Sequence, residues 1–437
     1  MPDCTAKRIA FERLARRRVE VDFDGGDVSS DGGLLLLRRL EHRLGLLDAV
    51  AGVLADARDP QRIEHTLKDM LRQRVFGLVQ GYEDLNDHAR LRNDVLMQTA
   101  CERDRPLASA PTLCRLENRA SRAAAWAIHE VIIEKFIASF KTPPRELVLD
   151  FDATDDPLYG RQEGRFFHGY YDRYCYLPLY VFCGERLLVA YLRPSNIDES
   201  RHAGAVLKLL VARLRQAWPE VRILLRADSG FCRRRILAWC ERNGVGYVVG
   251  LAKNRRLNRM TEVQRERLAR QFAQSQAKQR EFAELRYAAR TWKTERRVIA
   301  RLEHMDKGDN PRYLVTNLQG DARSVYEDLY CARGEMENRI KEAQLGLFAD
   351  RTSCQRLLAN QFRLLLSALA YILTERLRAL ALAGTEFARL QASTLRAKLL
   401  KIGAVILRNT RRVRVMLSSA FPYQAVYLAA ARALDSS

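Results

Sequence analysis

The sequence predicts an α/β protein with an all-α N-terminal part and a basic, mostly helical C-terminal region. Three observations carry this. Leu147-Val-Leu-Asp-Phe-Asp-Ala-Thr-Asp155 and Arg222-Ile-Leu-Leu-Arg-Ala-Asp-Ser-Gly230 are apolar strand patterns that run into carboxylates. Open α/β sheets carry their sites at that end of the strands. Tyr330, Arg333, Glu337 and Lys341 share one stripe of a helix read at 100° per residue, because steps of three and four residues fall on one face. Before residue 140 the apolar positions recur with helical spacing.

Taken in order, Arg16-Arg-Arg18 precedes a possible short strand, Val19–Phe23, and Ser29-Ser30-Asp31-Gly32-Gly33 is turn chemistry. Helices are expected over about 34–47, 62–80, 82–96 and 123–140, the second with Ile63, Leu67, Met70, Leu71, Val75 and Leu78 on one side. Such a module can read a DNA groove or can only pack on the next domain, and both readings stay open. Lys141-Thr-Pro-Pro144 is the clearest linker.

After the linker, alternation puts Leu147, Leu149 and Phe151 on one strand face and Val148, Asp150 and Asp152 on the other. Two carboxylates on one face repel unless a cation sits near them, which points to a metal. Asp155 and Asp156, before Pro157, read as turn residues. In the stretch from Gly164 to Tyr176, Phe166, Phe167, Tyr170, Tyr171 and Tyr174 interleave with Arg165, His168 and Arg173. This composition can stack bases or form an aromatic hairpin.

Strands are expected next over 177–183 and 187–192, then a helix with Val206, Leu207, Leu210, Val211 and Leu214 in one stripe. The next strand, 222–227, delivers Asp228. Ser229 is placed to cap a helix starting near Cys232. Arg233-Arg-Arg235 in its first turn opposes the helix dipole; an anionic ligand or plain solvation would answer that. Tyr247–Leu251 is a fifth strand. Residues 251–300 hold 14 Lys and Arg against 5 Glu, and Lys253, Arg255 and Arg256 come directly after the fifth strand. The C-terminal part is again basic, with a long apolar helix from Leu357 and a strand-like Arg412–Met416.

Bulk properties narrow the function. The 437 residues carry a net charge of +21, which favours a polyanionic partner, nucleic acid above all. Nine cysteines are scattered without a Cys-x-x-Cys, which disfavours a zinc site and reads as free thiols in a reducing cytoplasm. The N-terminus has no apolar signal core, and the longest apolar run, Leu364–Leu373, is short of the roughly 20 residues of a span. No membrane partner is expected. No Ser/His/Asp set, phosphate-cradling Gly loop or Arg-His-Arg-Tyr constellation competes with the carboxylates.

Asp152, Asp228 and Glu337 are hard oxygen ligands, suited to one or two divalent ions. Two such ions about 3.5–4 Å apart can serve the attacking and leaving oxygens of a phosphodiester. The three lie far apart in sequence, so only a fold can bring them together.

These residues carry a resemblance. Asp152-Ala-Thr154, Arg226-Ala-Asp-Ser-Gly-Phe231 and Tyr330-x-x-Arg333-x-x-x-Glu337, with Asn338 and Lys341, resemble the DDE transposases of bacterial insertion sequences, close to the insertion sequence 1380 family. The resemblance runs from about Gly32 to about Pro422. Relatives in a neighbouring branch carry a lysine seven residues after the glutamate, where this chain has Gln344.

The resemblance implies a ribonuclease-H-like catalytic domain over 145–350 with a β-rich insertion at 255–318. It would be flanked by a helical DNA-binding domain, 1–140, and a basic region, 351–437. It implies Asp152, Asp228 and Glu337 as catalytic, Mg²⁺- or Mn²⁺-holding residues with two ions expected. Tyr330, Arg333, Lys341, Lys253, Arg255 and Arg256 would contact DNA. The implied activity is cleavage of the element's terminal inverted repeats and joining of the 3′ ends to target DNA, by a homodimer on double-stranded DNA. A metal-dependent nuclease and a transposase-derived regulator are the alternatives.

Overall fold

The computed structural model describes residues 8–435. They divide into two compact units, residues 120–368 and, from both sides of these, the described residues up to 119 with those from 369 on. The expected boundaries near 140 and 350 differ from this division. The helix Arg122–Ala138 contributes Phe136 to the core of the first unit, so residues 120–140 pack with the chain beyond the proline linker.

The first unit is built on one sheet. Its strands are β1 (Glu146–Ala153), β2 (Leu179–Cys183), β3 (Arg186–Tyr191), β4 (Arg222–Ala227), β5 (Gly246–Leu251), β6 (Gln279–Tyr287), β7 (Arg296–Met305) and β8 (Arg312–Thr316). The spatial order is β6-β7-β8-β5-β4-β1-β2-β3, with a short strand at Gly308–Asp309 beside β7. β1, β4 and β5 run parallel, while β2 and β3 fold back antiparallel beside β1. The C-terminal ends of β1, β4 and β5 therefore share one edge.

The two faces of the sheet bury different partners. Leu147, Leu149 and Phe151 join Ile223, Leu225, Tyr247 and Val249 against α1 (Ala203–Ala217) and α2 (Arg234–Arg242). On the other face Leu224, Val248, Ile299 and Leu314 pack on Ala322, Val325 and Tyr326. That segment leads into α3 (Gly334–Lys341). Strands covered on both faces read as near-continuous apolar runs, which is why β4 and β5 are legible in the sequence.

The region 255–318 carries helices as well as the expected strands. It opens with helices Arg255–Met260 and Glu262–Ser275 before its strands, and those strands extend the central sheet rather than standing apart. Asp156 is also not a turn residue. It pairs with Tyr176 in a small sheet and is 1% exposed.

The second unit carries helices Leu34–Leu44, Leu46–Val53, Leu67–Gln80, Val95–Ala100 and Ala110–Asn118. A capping box between Thr66 and Asp69 starts the third of these, five residues later than its apolar stripe suggests. The helix expected over 82–96 is instead a set of short turns. The N-terminal part is not all helical. Ile9–Leu14 and Arg17–Val21 form a hairpin, and Asp27–Ser29 pairs with Ala404–Arg408, which pairs with Val413–Leu417. Gly33 sits where a Cβ would lie 2.4 Å from the Leu400 Cα, so close backbone approach, not a left-handed turn, requires glycine there.

Among the described residues one helix, Leu357–Ala381, is long and apolar enough to cross a membrane by length and composition, but 83% of its apolar window is buried inside the structure. It is longer than the ten-residue run visible in the sequence.

Glu41 yields a stability prediction. It is 1% exposed, and its Oε1 accepts from the Leu47 and Asp48 amides at 2.7 and 3.3 Å. Burial pushes its carboxyl up to about 7. Between its ordinary value and about 7 the unfolded chain has released this proton and the folded chain has not. Stability is therefore expected to fall as pH rises through that window, by up to about 3 kcal/mol. Glu41→Gln keeps an acceptor oxygen without the charge. Denaturant unfolding at pH 5 and 8 should show a smaller loss for the variant; equal losses would refute the assignment.

Candidate active site

The site is assembled at the shared edge of the parallel strands. β1 ends in Asp152 and Ala153, and β4 hands directly to Asp228. Asp152 lies on the face that carries the Val325–Lys341 segment, and α3 brings Glu337 to it. Around α3 the coil is irregular. Wide π-type turns occupy Val325–Tyr330 and Glu342–Gly346, and a tight three-residue turn spans Cys331–Arg333. Such departures from the α-helix cluster at functional sites.

Arg333 is the hinge of the arrangement. Its guanidinium lies 3.6 Å from Asp152 Oδ1 and donates to Glu337 Oε1 at 2.8 Å. Asp152 is 9% exposed. Its carboxyl is pushed up to about 7, chiefly by burial, with Arg333 pulling it down and the charges of Asp228 and Glu337 pushing it up. Arg333 itself feels Asp152, Tyr330, Glu337 and Asp228. The three expected carboxylates are thus brought into one electrostatic neighbourhood.

Tyr330 closes one side. Burial raises its hydroxyl pKa, with the charge of Asp228 adding and Arg333 opposing. A Cβ built on Gly250 would lie 2.7 Å from the Tyr330 hydroxyl, 2.8 Å from the Ser229 amide nitrogen and 3.1 Å from the Asp228 carbonyl carbon. Gly250→Ala must therefore displace Asp228 or Tyr330. The DNA cleavage that the sequence leads one to expect should fall on the order of 10²-fold, since errors near 1 Å cost about that much. Cleavage within twofold of wild type would show that the strand gives way instead.

Lys341 is exposed and makes no ion pair among the described residues. Gln344 reaches back, its Nε2 donating to the Asp155 carbonyl at 3.1 Å. Lys253, Arg255 and Arg256 are exposed just past β5. The Arg256 guanidinium donates to the Ala288 carbonyl at 2.8 Å and lies over the Tyr287 ring.

Two sequence readings are corrected here. The pair Asp150 and Asp152 suggested a metal between them, but the cation beside Asp150 is Arg226. The two are in register on neighbouring parallel strands. The Asp150 carboxylate accepts from Arg226 Nε and Nη2 at 2.5 and 2.7 Å, and Nη1 donates to the Leu329 carbonyl at 2.6 Å. Burial raises the Asp150 carboxyl pKa and Arg226 pulls it down; with this two-point contact to a guanidinium that keeps its proton, the pair is ionic. Ser229 does not cap α2. Asp228 Oδ1 accepts from the Gly230 amide at 2.9 Å, which fixes the carboxylate.

Sequence reasoning missed two neighbours. Glu199, in the turn before α1, lies near Asp228, whose charge adds to burial in raising the Glu199 pKa. A Cβ on Gly230 would lie 1.8 Å from Glu199 Oε2. Tyr171, from the aromatic segment, is raised by burial and then by Glu199, Asp155 and Asp152. An acid in a helix-start turn carries no sequence signal, so Glu199 was not separable from ordinary capping chemistry.

The donor set fits a hard divalent cation in its chemistry: oxygen ligands only, partly buried and carrying excess negative charge. Among the described residues no three His, Cys, Asp or Glu side chains are close enough together to hold a metal ion, and Arg333 occupies the space between Asp152 and Glu337.

Comparison with known proteins bears on this geometry. The family model described as transposase DDE domain group 1 matches residues 11–437. No curated protein matches the chain. Among solved structures, a cryo-EM structure of a piggyBac transposase synaptic complex with hairpin DNA is similar at 10% identity and a TM-score of 0.41. That likeness covers 90% of this chain and 81% of that one.

Proposed function

The chain belongs to the transposase DDE domain family, group 1, and from that premise we propose that it cleaves the terminal inverted repeats of its own insertion sequence and joins the 3′ ends to target DNA. The observation that carries this reading is Arg333 set between Asp152 at a strand end and Glu337 on a helix, with Asp228, at the neighbouring parallel strand end, near enough for its charge to act on Arg333 and Asp152. We assign the branch as the insertion sequence 1380 family on the Tyr330, Arg333 and Glu337 spacing. The order β3-β2-β1-β4-β5, three antiparallel strands and then two parallel ones, supports a ribonuclease-H-like core.

Asp152, Asp228 and Glu337 are the residues that would hold Mg²⁺ or Mn²⁺. When bound, divalent ions supply charge neutralisation at phosphorus and an activated oxygen nucleophile. The protein's own groups do the positioning. Asp228 is anchored by the Gly230 amide. Arg333 keeps the Asp152 and Glu337 charges from repelling and offers a guanidinium fork suited to phosphate oxygens. Tyr330 walls off the Gly250 side. Lys341, Lys253, Arg255 and Arg256 lie exposed to receive DNA, and the basic helical unit would bind the element ends. Pairing two ends calls for a homodimer on DNA.

The test uses DNA carrying the sequences that flank the gene, incubated with protein and Mg²⁺ or Mn²⁺. Cutting at repeat ends and then joining is expected. Cutting without end preference would replace this reading by a nuclease. Binding without cutting in either metal would replace it by a regulator.

A further inference from the structure

Beside the acidic centre lies a groove of about 1030 Å³, walled by the start of α1, the first turns of α2 and the loop before β7. Five of its cations, Arg201, Lys208, Arg235, Arg290 and Lys293, are exposed and have no ion-pair partner among the described residues. Other cations of the same unit are matched with acids, such as Arg213 with Glu134, Arg296 with Glu241 and Arg297 with Glu284, while Lys341 and the cations just past β5 are, like these five, without one. The one acid lining the groove, Asp198, is taken by Arg233 at 2.5 Å. Like charges gathered on one concave wall repel one another, and low-dielectric walls focus that field on an external anion.

The walls are built. Arg234 Nη1 donates to the Thr291 carbonyl at 3.2 Å, tying α2 to the loop. Trp292 is held by the Tyr287 ring at 5.7 Å and the Arg296 guanidinium at 4.8 Å. Trp239 and Trp292 give the groove apolar surface among its cations. That combination suits a sugar-phosphate chain, whose phosphates meet the cations and whose sugars and bases meet the rings. A small anion would leave the tryptophans unused.

We propose that this groove is a second DNA-backbone site, separate from the Arg333 centre, that holds the strand leading away from the carboxylates. The proposal rests on the reading that the protein acts on DNA. The groove starts one residue from that centre, since Asp198 precedes Glu199, whose carboxylate lies against Gly230 beside the Asp228 carboxylate. Of its five unpaired cations the sequence singles out only Arg235, in the basic first turn of α2.

The experiment measures binding of the full chain to a duplex and to a single strand of arbitrary sequence across a salt series. The groove variant is Arg235→Ala/Arg290→Ala/Lys293→Ala. A control with equal charge loss, Lys141→Ala/Arg145→Ala/Arg222→Ala, lies at the opposite ends of β1 and β4. The groove variant should lower the slope of log K against log salt by about 2–3, near one for each lost phosphate contact, while the control keeps the wild-type slope. A loss on the duplex assigns the groove to double-stranded DNA, and a loss on the single strand alone assigns it to an unpaired strand. If the groove variant behaves like the control while wild type binds, the groove site is overturned and the function stands. If wild type binds neither DNA, both fall.

Discussion

Asp228→Asn is expected to abolish DNA cleavage while leaving DNA binding nearly intact. The substitution is almost isosteric, and an Asn Oδ1 can still accept from the Gly230 amide that Asp228 now uses at 2.9 Å. The turn after β4 is therefore kept. What is lost is the anionic oxygen that a hard cation requires. Charge stabilisation of that kind is worth several kcal/mol, so a loss on the order of 10³-fold or more in cleavage rate is expected. Cleavage on gels and binding by mobility shift, wild type beside variant, decide the matter. Loss of both would make Asp228 a structural residue. Retained cleavage would move the chemistry to other carboxylates.

The second large effect is on stability. Arg226→Ala leaves Asp150, 2% exposed, without its counter-ion and frees the Leu329 carbonyl. Breaking a buried pair by removing one partner costs about 3–5 kcal/mol, because the remaining charge stays buried. For a unit of this size that corresponds to a Tm fall on the order of 10 °C. The double variant Asp150→Leu/Arg226→Leu should recover much of it, since an apolar pair has no charge to strand. Thermal unfolding monitored by circular dichroism reads both. A single variant within about 2 °C of wild type would mean that water or another group takes over for Arg226. Because Arg226 also holds the Leu329 end of the segment leading to Glu337, the single variant should lose cleavage before it melts.

Much of this architecture is legible in the chain alone. Apolar runs ending in Asp152 and Asp228 can be read as strands because both faces of the sheet are covered. The spacing of Arg333 and Glu337 needs only the helical repeat, and their 2.8 Å contact comes from it. The Tyr330 end is less secure, since the tight turn at Cys331–Arg333 departs from 100° per residue.

Local pattern fails where the partner is distant. Asp150 looks like half of a metal site because its true partner, Arg226, lies on a strand whose register a sequence does not state. Asp156 looks like a turn residue because nothing local shows that its strand would pair with Tyr176. Ser229 looks like a cap because the competing carboxylate beside it, Asp228, has the same local reach.

By itself, then, the sequence determined the residue types, the strand and helix patterns and the excess of positive charge, all of which are set by nearest neighbours and composition. Only the tertiary structure decided which carboxylates share Arg333, which one is neutralised by Arg226, and that five unpaired cations line one groove. Those outcomes depend on strand order, register and burial, which arise from contacts between segments far apart along the chain.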